Sequence, residues 1–364
     1  MNNKLITVII IIIILVLGIT WFSQKDVAEP AMGESIKIGV ITPLTGDLAF
    51  WGESSRLGAM LAERELKAEG YQVSVIVEDG QLAPTPSLNA AQKLVSQDGV
   101  DAIYSEFNPA AIAVSSFLAD KNVFHLYDAA PESPLESNSH TFKTYIDYRQ
   151  NCEDVARLIK NNRGIEKIGI LKINQEFADL CLEGLREVYS EVEVESYNPG
   201  SLDFRTQISK LKIAEVEAVV NVTFAPENFA ALRQMKELGL DALYVGVTDA
   251  FPPSLVAENK EVMTPGKVIV FGLPPATKPF IEKIKKLVPD AKVVDFQAFG
   301  LAYIHIKQIT KALDGCEGNL SCASEEMAKN GAASEVGFLK FEERVAQFEP
   351  SIQEWKDDSF ISIK

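Results

Sequence analysis

Histidine, cysteine and basic residues are scarce in this 364-residue chain. Three histidines and four cysteines are too few and too scattered for a metal protein, so we expect no metal site. Lysine and arginine number 35 against 51 aspartates and glutamates, a formal net charge of −16. This balance argues against nucleic acid as a partner, because phosphates are bound by clusters of Lys and Arg. Hydrophobic residues make up 47%, which excludes wholesale disorder.

The motifs that organise common enzyme active sites are also missing. The sequence has no GxSxG, GxGxxG, GxxxxGK[ST], HExxH or CxxC. The nearest approach to GxSxG, GESSR at residues 52–56, lacks the second glycine. His125, His140 and His305 stand apart, and a lone histidine is more often structural or solvated than catalytic. We therefore expect a protein that is not an enzyme and needs no cofactor.

One long apolar run stands at the N-terminus. Residues 5–22 contain no charge, and as a helix they would reach about 27 Å, enough to span a bilayer core. Lys4 precedes the run, which predicts a cytoplasmic N-terminus with the body of the chain outside. A retained single-pass anchor is favoured, and a cleaved signal peptide is the alternative. Either way the body is exported, and the polar residues 23–35 are typical of a flexible tether.

Export makes disulfides admissible. Cys316 and Cys322 lie in the short loop segment DGCEGNLSC, which favours a local bridge. Cys152 and Cys181 lie on successive predicted helices that flank an apolar strand. A second bridge between them is a hypothesis, with two buried thiols as the alternative.

From residue 36 onward, short apolar runs alternate with amphipathic segments. Strands are predicted at residues 36–41, 71–79 and 101–106, each followed by a segment with helical spacing. A second series of the same kind starts near Tyr145. This alternation predicts an α/β fold with two doubly wound, mainly parallel sheets, packed as two lobes. Open parallel sheets bind ligands beyond the carboxyl ends of their strands, so two facing lobes would enclose a cleft.

The segment IKIGVITPLTGDLAFWGESSRLGAMLAERELKAEG, residues 36–70, carries a family resemblance. It resembles the opening of type I periplasmic solute-binding proteins, in the branched-chain amino-acid and amide group that serves ABC importers. Residues 201–220, SLDFRTQISKLKIAEVEAVV, are similar to a later segment of that family. The family pattern after the first strand is P-[LM]-[ST]-G, then A-x-[YW]-G, met here by Pro43, Leu44, Thr45, Gly46, Ala49, Trp51 and Gly52.

The resemblance implies a periplasmic binding protein type I fold in which the chain crosses between the lobes three times. We place the crossings near Lys143, Gly272 and Gly337. The resulting segments are an anchor or signal at 1–22, a linker at 23–35, a first lobe at 36–143 and 273–336, and a second lobe at 144–272 and 337–364.

The resemblance also implies where a ligand binds. Trp51 would form an aromatic wall, and Asp249 would take the ligand's ammonium group. Two loops of the first lobe that carry hydroxyls in the family lack them here, at residues 106–110 and 129–132. The predicted ligand-binding residues are Trp51, Asn108, Ala129, Glu132, Phe177, Phe224 and Asp249.

These substitutions suggest a ligand chemistry. The predicted cleft gains Glu106, Glu132 and Asp249, and no arginine or lysine is obviously placed to pair with a carboxylate. Buried charges need partners, so an amine- or amide-bearing ligand is favoured over a free acid. Phe177 and Phe224 could equally be core residues, and Glu106 and Glu132 could be solvated rim residues.

The sequence as a whole predicts an extracytoplasmic solute-binding protein. It would capture an amino acid or a related amine in the interlobe cleft and deliver it to an ABC importer permease. The alternative is an extracellular sensor of the same fold that acts through a partner.

Overall fold

The computed structural model describes residues 35–46, 48–289, 293, 295–329 and 333–363. Ile36–Lys364 form one compact unit. The anchor predicted over residues 1–22, and nearly all of the linker predicted over 23–35, lie outside the described residues. Among the residues that are described, no helix is both long enough and apolar enough to cross a membrane.

Two seven-stranded sheets form the centres of two lobes. The first lobe's sheet has the order β11-β12-β5-β4-β3-β1-β2, and the second lobe's sheet has the order β14-β13-β10-β9-β8-β6-β7. The first sheet is built from β1 (Ile36–Thr42), β2 (Val73–Asp79), β3 (Ala102–Glu106), β4 (Phe124–Asp128), β5 (Thr141–Lys143), β11 (Phe338–Glu342) and β12 (Val345–Phe348). The second is built from β6 (Ile168–Ile173), β7 (Val192–Tyr197), β8 (Ala218–Asn221), β9 (Leu243–Val247), β10 (Val268–Phe271), β13 (Ile352–Lys356) and β14 (Ser359–Ser362).

Parallel pairing dominates both sheets. The pairs from β1 to β5, and from β6 to β10, are all parallel, while β11, β13 and β14 run antiparallel to their neighbours. Their central strands are almost wholly buried, as expected for parallel strands that helices cover on both faces. The predicted α/β class with two mainly parallel sheets is therefore confirmed.

Helices connect the parallel strands. They are α1 (Ala49–Ala68), α2 (Pro84–Lys93), α3 (Asn108–Leu118), α4 (Tyr148–Arg163), α5 (Glu176–Arg186), α6 (Arg205–Ile213), α7 (Ala225–Leu238), α8 (Pro253–Glu258), α9 (Lys278–Leu287), α10 (Phe296–Gly315) and α11 (Leu320–Lys329). Glycine allows a close approach between α1 and α10, because a Cβ at Gly58 of α1 would lie 2.1 Å from the carbonyl oxygen of Phe299 in α10.

Helices α4 and α5 are joined both by packing and by a covalent bond. A Cβ at Gly184 would lie 2.1 Å from the carbonyl oxygen of Arg149, so the two helices touch backbone to backbone. Cys152 and Cys181 form a disulfide at the same helix pair. A second disulfide joins Cys316 to Cys322, so both predicted bridges are confirmed.

The chain passes between the sheets after β5, after β10 and after β12. The prediction that the second lobe resumes at Gly337 is wrong, because the hairpin of β11 and β12 joins the first sheet beside β5. Its two-residue turn places Glu343 and Arg344 at positive φ, a geometry that usually selects Gly or Asn. The guanidinium of Arg344 fixes the hairpin to the first lobe by donating to the carbonyl oxygens of Leu135, Asn138 and Thr141.

Candidate functional site

The carboxyl ends of the parallel strands bring together the side chains predicted to form the site. In the first lobe, Trp51 lies in α1, which follows β1, and Asn108 begins α3, which follows β3. In the second lobe, Phe177 lies in the first turn of α5 and Asp249 follows β9. The remaining predicted residues, Ala129, Glu132 and Phe224, lie in loops after β4 and β8.

A tight turn after β1 positions Trp51. The Thr45 hydroxyl donates to the Asp79 carboxylate at 2.6 Å, which ties this turn to the end of β2. A Cβ at Gly52 would lie 2.0 Å from the carbonyl oxygen of Pro43, so only glycine lets α1 start this close to the turn. The glycine of the sequence pattern is therefore required by this contact. The contact fixes the start of α1, and with it the position of the Trp51 indole.

Trp51 is only 9% exposed. Its ring contacts Phe107 edge to face at a centroid distance of 5.5 Å. The indole N–H donates to Oε1 of Glu106 at 3.2 Å. The aromatic wall is thus held by a carboxylate, which satisfies the polar end of the indole.

Glu106 is buried at the end of β3, not solvated at a rim. Besides the indole, its Oε1 accepts from the Ser55 hydroxyl at 2.7 Å and from the Tyr104 hydroxyl at 3.3 Å. Burial raises the pKa of Glu106 to about 7, and these hydrogen bonds oppose that rise. The group therefore titrates near neutral pH.

Asp128 is a second buried carboxyl that sequence reasoning missed. It ends β4 and pairs in register with Glu106 on β3, so the two side chains are neighbours on one face of the sheet. Burial raises the pKa of Asp128 well above its usual range, and the negative charges of Glu106 and Asp249 raise it further. The sequence shows an acidic residue at the end of a buried strand. Only the strand register shows that this residue lies beside Glu106.

Asp249 of the second lobe lies close enough to Asp128 for its negative charge to raise the Asp128 pKa. Its side chain is exposed to solvent. The protein atoms packed around the carboxyl raise its pKa to about 6, against the hydrogen bond from Tyr145. The hydroxyl of Tyr145, in the first crossing between lobes, donates to Oδ2 of Asp249. The acidic side chain predicted from the sequence is therefore held beside the hinge, with its other oxygen not engaged by Tyr145.

A hydrogen bond joins Asn108 to the loop after β4. Oδ1 of Asn108 accepts from the backbone N–H of Ala130 at 3.1 Å. Ala129 is 3% exposed and packs against Ala111 and Tyr127. The backbone donor of Ala130 is therefore already used within the first lobe.

The two predicted phenylalanines differ in exposure. Phe177 is 3% exposed and packs on Tyr148 at a centroid distance of 5.3 Å. Phe224 is 46% exposed and contacts Phe177 edge to face at 6.1 Å. Phe177 is thus part of the core, and Phe224 presents an open aromatic face at the carboxyl end of the second sheet.

Glu132 lies at a contact between the lobes. Its backbone N–H donates to Oε1 of Glu176 in the second lobe at 3.1 Å, and the Ser133 hydroxyl donates to Oε2 of the same carboxylate at 3.3 Å. The Nζ of buried Lys143 lies 3.8 Å from the Glu132 carboxylate. The sequence showed no lysine or arginine obviously placed to pair with a carboxylate, and it missed Lys143, which the register of β5 beside β4 brings to this edge. Burial lowers the pKa of Lys143, although Glu132 opposes that shift.

No group of three or more His, Cys, Asp or Glu side chains within the described part of the chain is arranged to hold a metal ion.

Comparison with known proteins gives a consistent result. The sequence model of the family described as periplasmic binding protein matches residues 35–329. The chain is 24% identical over 344 residues to the leucine-, isoleucine-, valine-, threonine- and alanine-binding protein of Pseudomonas aeruginosa, covering 90% of this chain and 91% of that protein.

Two solved structures show the same fold. One is a branched-chain amino acid transporter substrate binding protein from Streptococcus pneumoniae in complex with isoleucine, with a TM-score of 0.75 and 18% identity over 90% of this chain and 98% of that one. The other is an ABC transporter solute binding protein from R. palustris in complex with 4-hydroxybenzoate, with a TM-score of 0.78 and 19% identity over 90% and 95%.

Proposed function

The chain belongs to the family of periplasmic binding proteins, and from that premise we propose that it captures an amino acid or a related amine between its lobes for an ABC importer. Curated relatives with this domain organisation are named for leucine, isoleucine and valine binding, which supports an amino-acid-like ligand. Family membership likewise supports binding without catalysis. The proposed role is therefore to bind the ligand and hand it on without changing it chemically.

The position of Asp249 is the observation that carries the ligand proposal. Its carboxyl lies close enough to Asp128 of the first lobe to act on that group's charge, and it accepts a hydrogen bond from the neutral donor Tyr145. Closure of the lobes on a ligand would remove water from this carboxylate, which is destabilising unless a cationic partner is present. A protonated amine on the ligand would provide that partner, and Trp51 and Phe224 would flank its apolar part.

Closure of the lobes would give the ligand-bound protein a shape that an importer can recognise. Glu176 of the second lobe accepts two hydrogen bonds from residues 132 and 133 of the first, and these contacts exist only when the lobes are close. Hinge closure of this kind rotates nearly rigid lobes about the few residues that cross between them. A permease could therefore distinguish the loaded form by its shape.

We also propose that the body lies outside the cytoplasm, as the family and the two disulfides support. Two forms of the N-terminus would serve this location: a cleaved signal peptide that releases the protein, or residues 5–22 retained as an anchor. The mass of the protein recovered from cells distinguishes them. A chain that keeps residues 1–22 and sediments with membranes supports the anchor, and a shortened chain in the released fraction supports cleavage.

Thermal unfolding of the purified protein against a ligand panel tests the proposed function. A ligand at a hundred times its dissociation constant stabilises the native state by about 2.7 kcal/mol, which shifts the midpoint by several degrees. We expect shifts with L-amino acids, their amides or other amines, and none with carboxylic acids that lack an amine. Asp249→Asn should reduce these shifts, and Asp120→Asn, a charge change at an exposed position two residues after α3, should not. A shift confined to carboxylic acids without an amine would refute the ligand proposal.

A further inference from the structure

We propose that Glu106 and Asp128 form a second cation subsite in the first lobe, so that the protein prefers ligands with two amines over ligands with one. This inference rests on the proposed function, since it places the subsite in the same cleft as Asp249. It assigns the ligand class as organic cations that carry more positive than negative charge.

The first argument is the geometry of the pair. Glu106 and Asp128 are aligned on adjacent parallel strands, and both are at most 5% exposed. Oε1 of Glu106 takes three hydrogen bonds, but Oε2 of Glu106 and Oδ1 of Asp128 have no partner. The buried hydroxyl of Thr42, at the end of β1, lies near the Glu106 carboxyl and acts as a donor that lowers its pKa. Two buried carboxyl oxygens at one strand edge are thus left without a full set of donors, which is costly unless another molecule completes them.

Among the described residues, the groups that act on the charge of the pair include no cation. From β3 the neighbour is the Tyr104 hydroxyl, and across the cleft it is Asp249, itself near Asp295. Tyr148 adds a further neutral hydroxyl from α4. The buried Lys143 aligns with Tyr127, not with Asp128, so it projects from the opposite face of the sheet and serves Glu132.

Two neighbouring carboxyls removed from water cannot both ionise without a cation between them. An ammonium group supplies three donors, enough to reach both free carboxyl oxygens of the pair. The indole of Trp51 adds an aromatic surface beside the pair, and cations are attracted to such a surface. An alkylammonium group therefore fits this corner of the cleft better than an apolar group does.

The first lobe offers few donors to a ligand carboxylate. Oδ1 of Asn108 takes up the N–H of Ala130, and Pro109 and Pro131 have no N–H, so the Asn108 amide nitrogen is the side-chain donor that these loops offer. A ligand carboxylate would thus meet two acidic side chains and few donors. Positive charge at both ends of the ligand satisfies the two lobes better than a zwitterion does.

Three ligands of matched length test the subsite: norleucine, lysine and 1,5-diaminopentane. Lysine adds a terminal amine to norleucine, and 1,5-diaminopentane is lysine without its carboxylate. By titration calorimetry at pH 8 we expect lysine and 1,5-diaminopentane to bind the full-length protein at least tenfold more tightly than norleucine. Glu106→Gln and Asp128→Asn should each lower the preference for lysine over norleucine at least tenfold, whereas Asp120→Asn should leave it unchanged.

Both variants are close in shape to the native residues, and the thermal midpoint of each ligand-free variant checks that it is folded. Equal affinity for norleucine and lysine in the native protein would overturn the subsite while leaving amine capture standing. No binding of any amine would overturn the proposed function as well. Stabilisation by Mg²⁺ or Ca²⁺ that Asp128→Asn abolishes would also overturn the subsite, since it would make the pair a metal site.

Discussion

Replacing Glu106 by glutamine should stabilise the ligand-free protein, and the gain should depend on pH. Glu106 is 2% exposed and its pKa rises from 4.5 to about 7 because burial disfavours the charged form. A carboxyl whose pKa is raised in the folded state binds protons more tightly there, so its contribution lowers stability as pH rises from 4.5 to 7. The substituted glutamine carries no charge and keeps an oxygen to accept from Trp51, Ser55 and Tyr104.

The magnitude follows from linkage. Each pKa unit corresponds to about 1.4 kcal/mol, so charging Glu106 costs about 3 kcal/mol at pH 8 but only about 1 kcal/mol at pH 5. We therefore expect Glu106→Gln to raise the free energy of unfolding by about 3 kcal/mol at pH 8 and by about 1 kcal/mol at pH 5, a difference that denaturant unfolding at the two pH values measures.

The control and the refuting result are both specific. Asp120→Asn also removes one negative charge, but from an exposed position, and should change stability little at either pH. If Glu106→Gln destabilised the protein equally at pH 5 and pH 8, the carboxylate would be satisfied in the folded state. The carboxyl pair would then already be satisfied without a ligand, which the cation subsite excludes.

Three further predictions concern binding and covalent structure. Trp51→Ala should weaken amine binding at least tenfold in calorimetry, and Trp51→Phe should be intermediate. Equal affinity in the native protein and both variants would show that Trp51 does not contribute to ligand binding. Amine affinity should fall as pH drops from 8 to 5, because Glu106 and Asp249 take up protons, whereas Asp249→Asn should flatten that dependence; an affinity independent of pH in the native protein would contradict this. Changing Cys152 and Cys181 to alanine should cost about 3 to 4 kcal/mol in urea unfolding, the chain entropy of a loop that joins residues 29 apart. A cost near zero would mean that helix packing at Gly184 already holds α4 and α5 together.

Much of the fold was predictable because its signals are local. The central strands are runs of apolar residues in the sequence, and the strands predicted at residues 36–41, 71–79 and 101–106 agree with β1, β2 and β3 to within about two residues. The third crossing was misplaced because Glu343 and Arg344 adopt a turn geometry that their residue types disfavour. Hydrogen bonds from Arg344 to residues about 200 positions away hold that turn, and no local pattern reveals them.

The candidate site was predictable only in part, for a similar reason. Trp51 and Asp249 follow strands directly, so a pattern could locate them at the cleft. Strand register determines what surrounds Asp128 and Lys143. Asp128 lies beside Glu106, and Lys143 lies beside Glu132 on the opposite face of the same sheet. Register depends on pairing between distant segments, so it could not be obtained from either segment alone.

Calorimetric titration with norleucine and with hexanoate tests the central claim most directly, since the two differ only in the amine. The account predicts that norleucine binds the purified protein at one site per chain, that Asp249→Asn weakens this binding at least tenfold, and that hexanoate gives no heat. Binding of hexanoate as tight as that of norleucine, or an affinity for norleucine unchanged by Asp249→Asn, would contradict it.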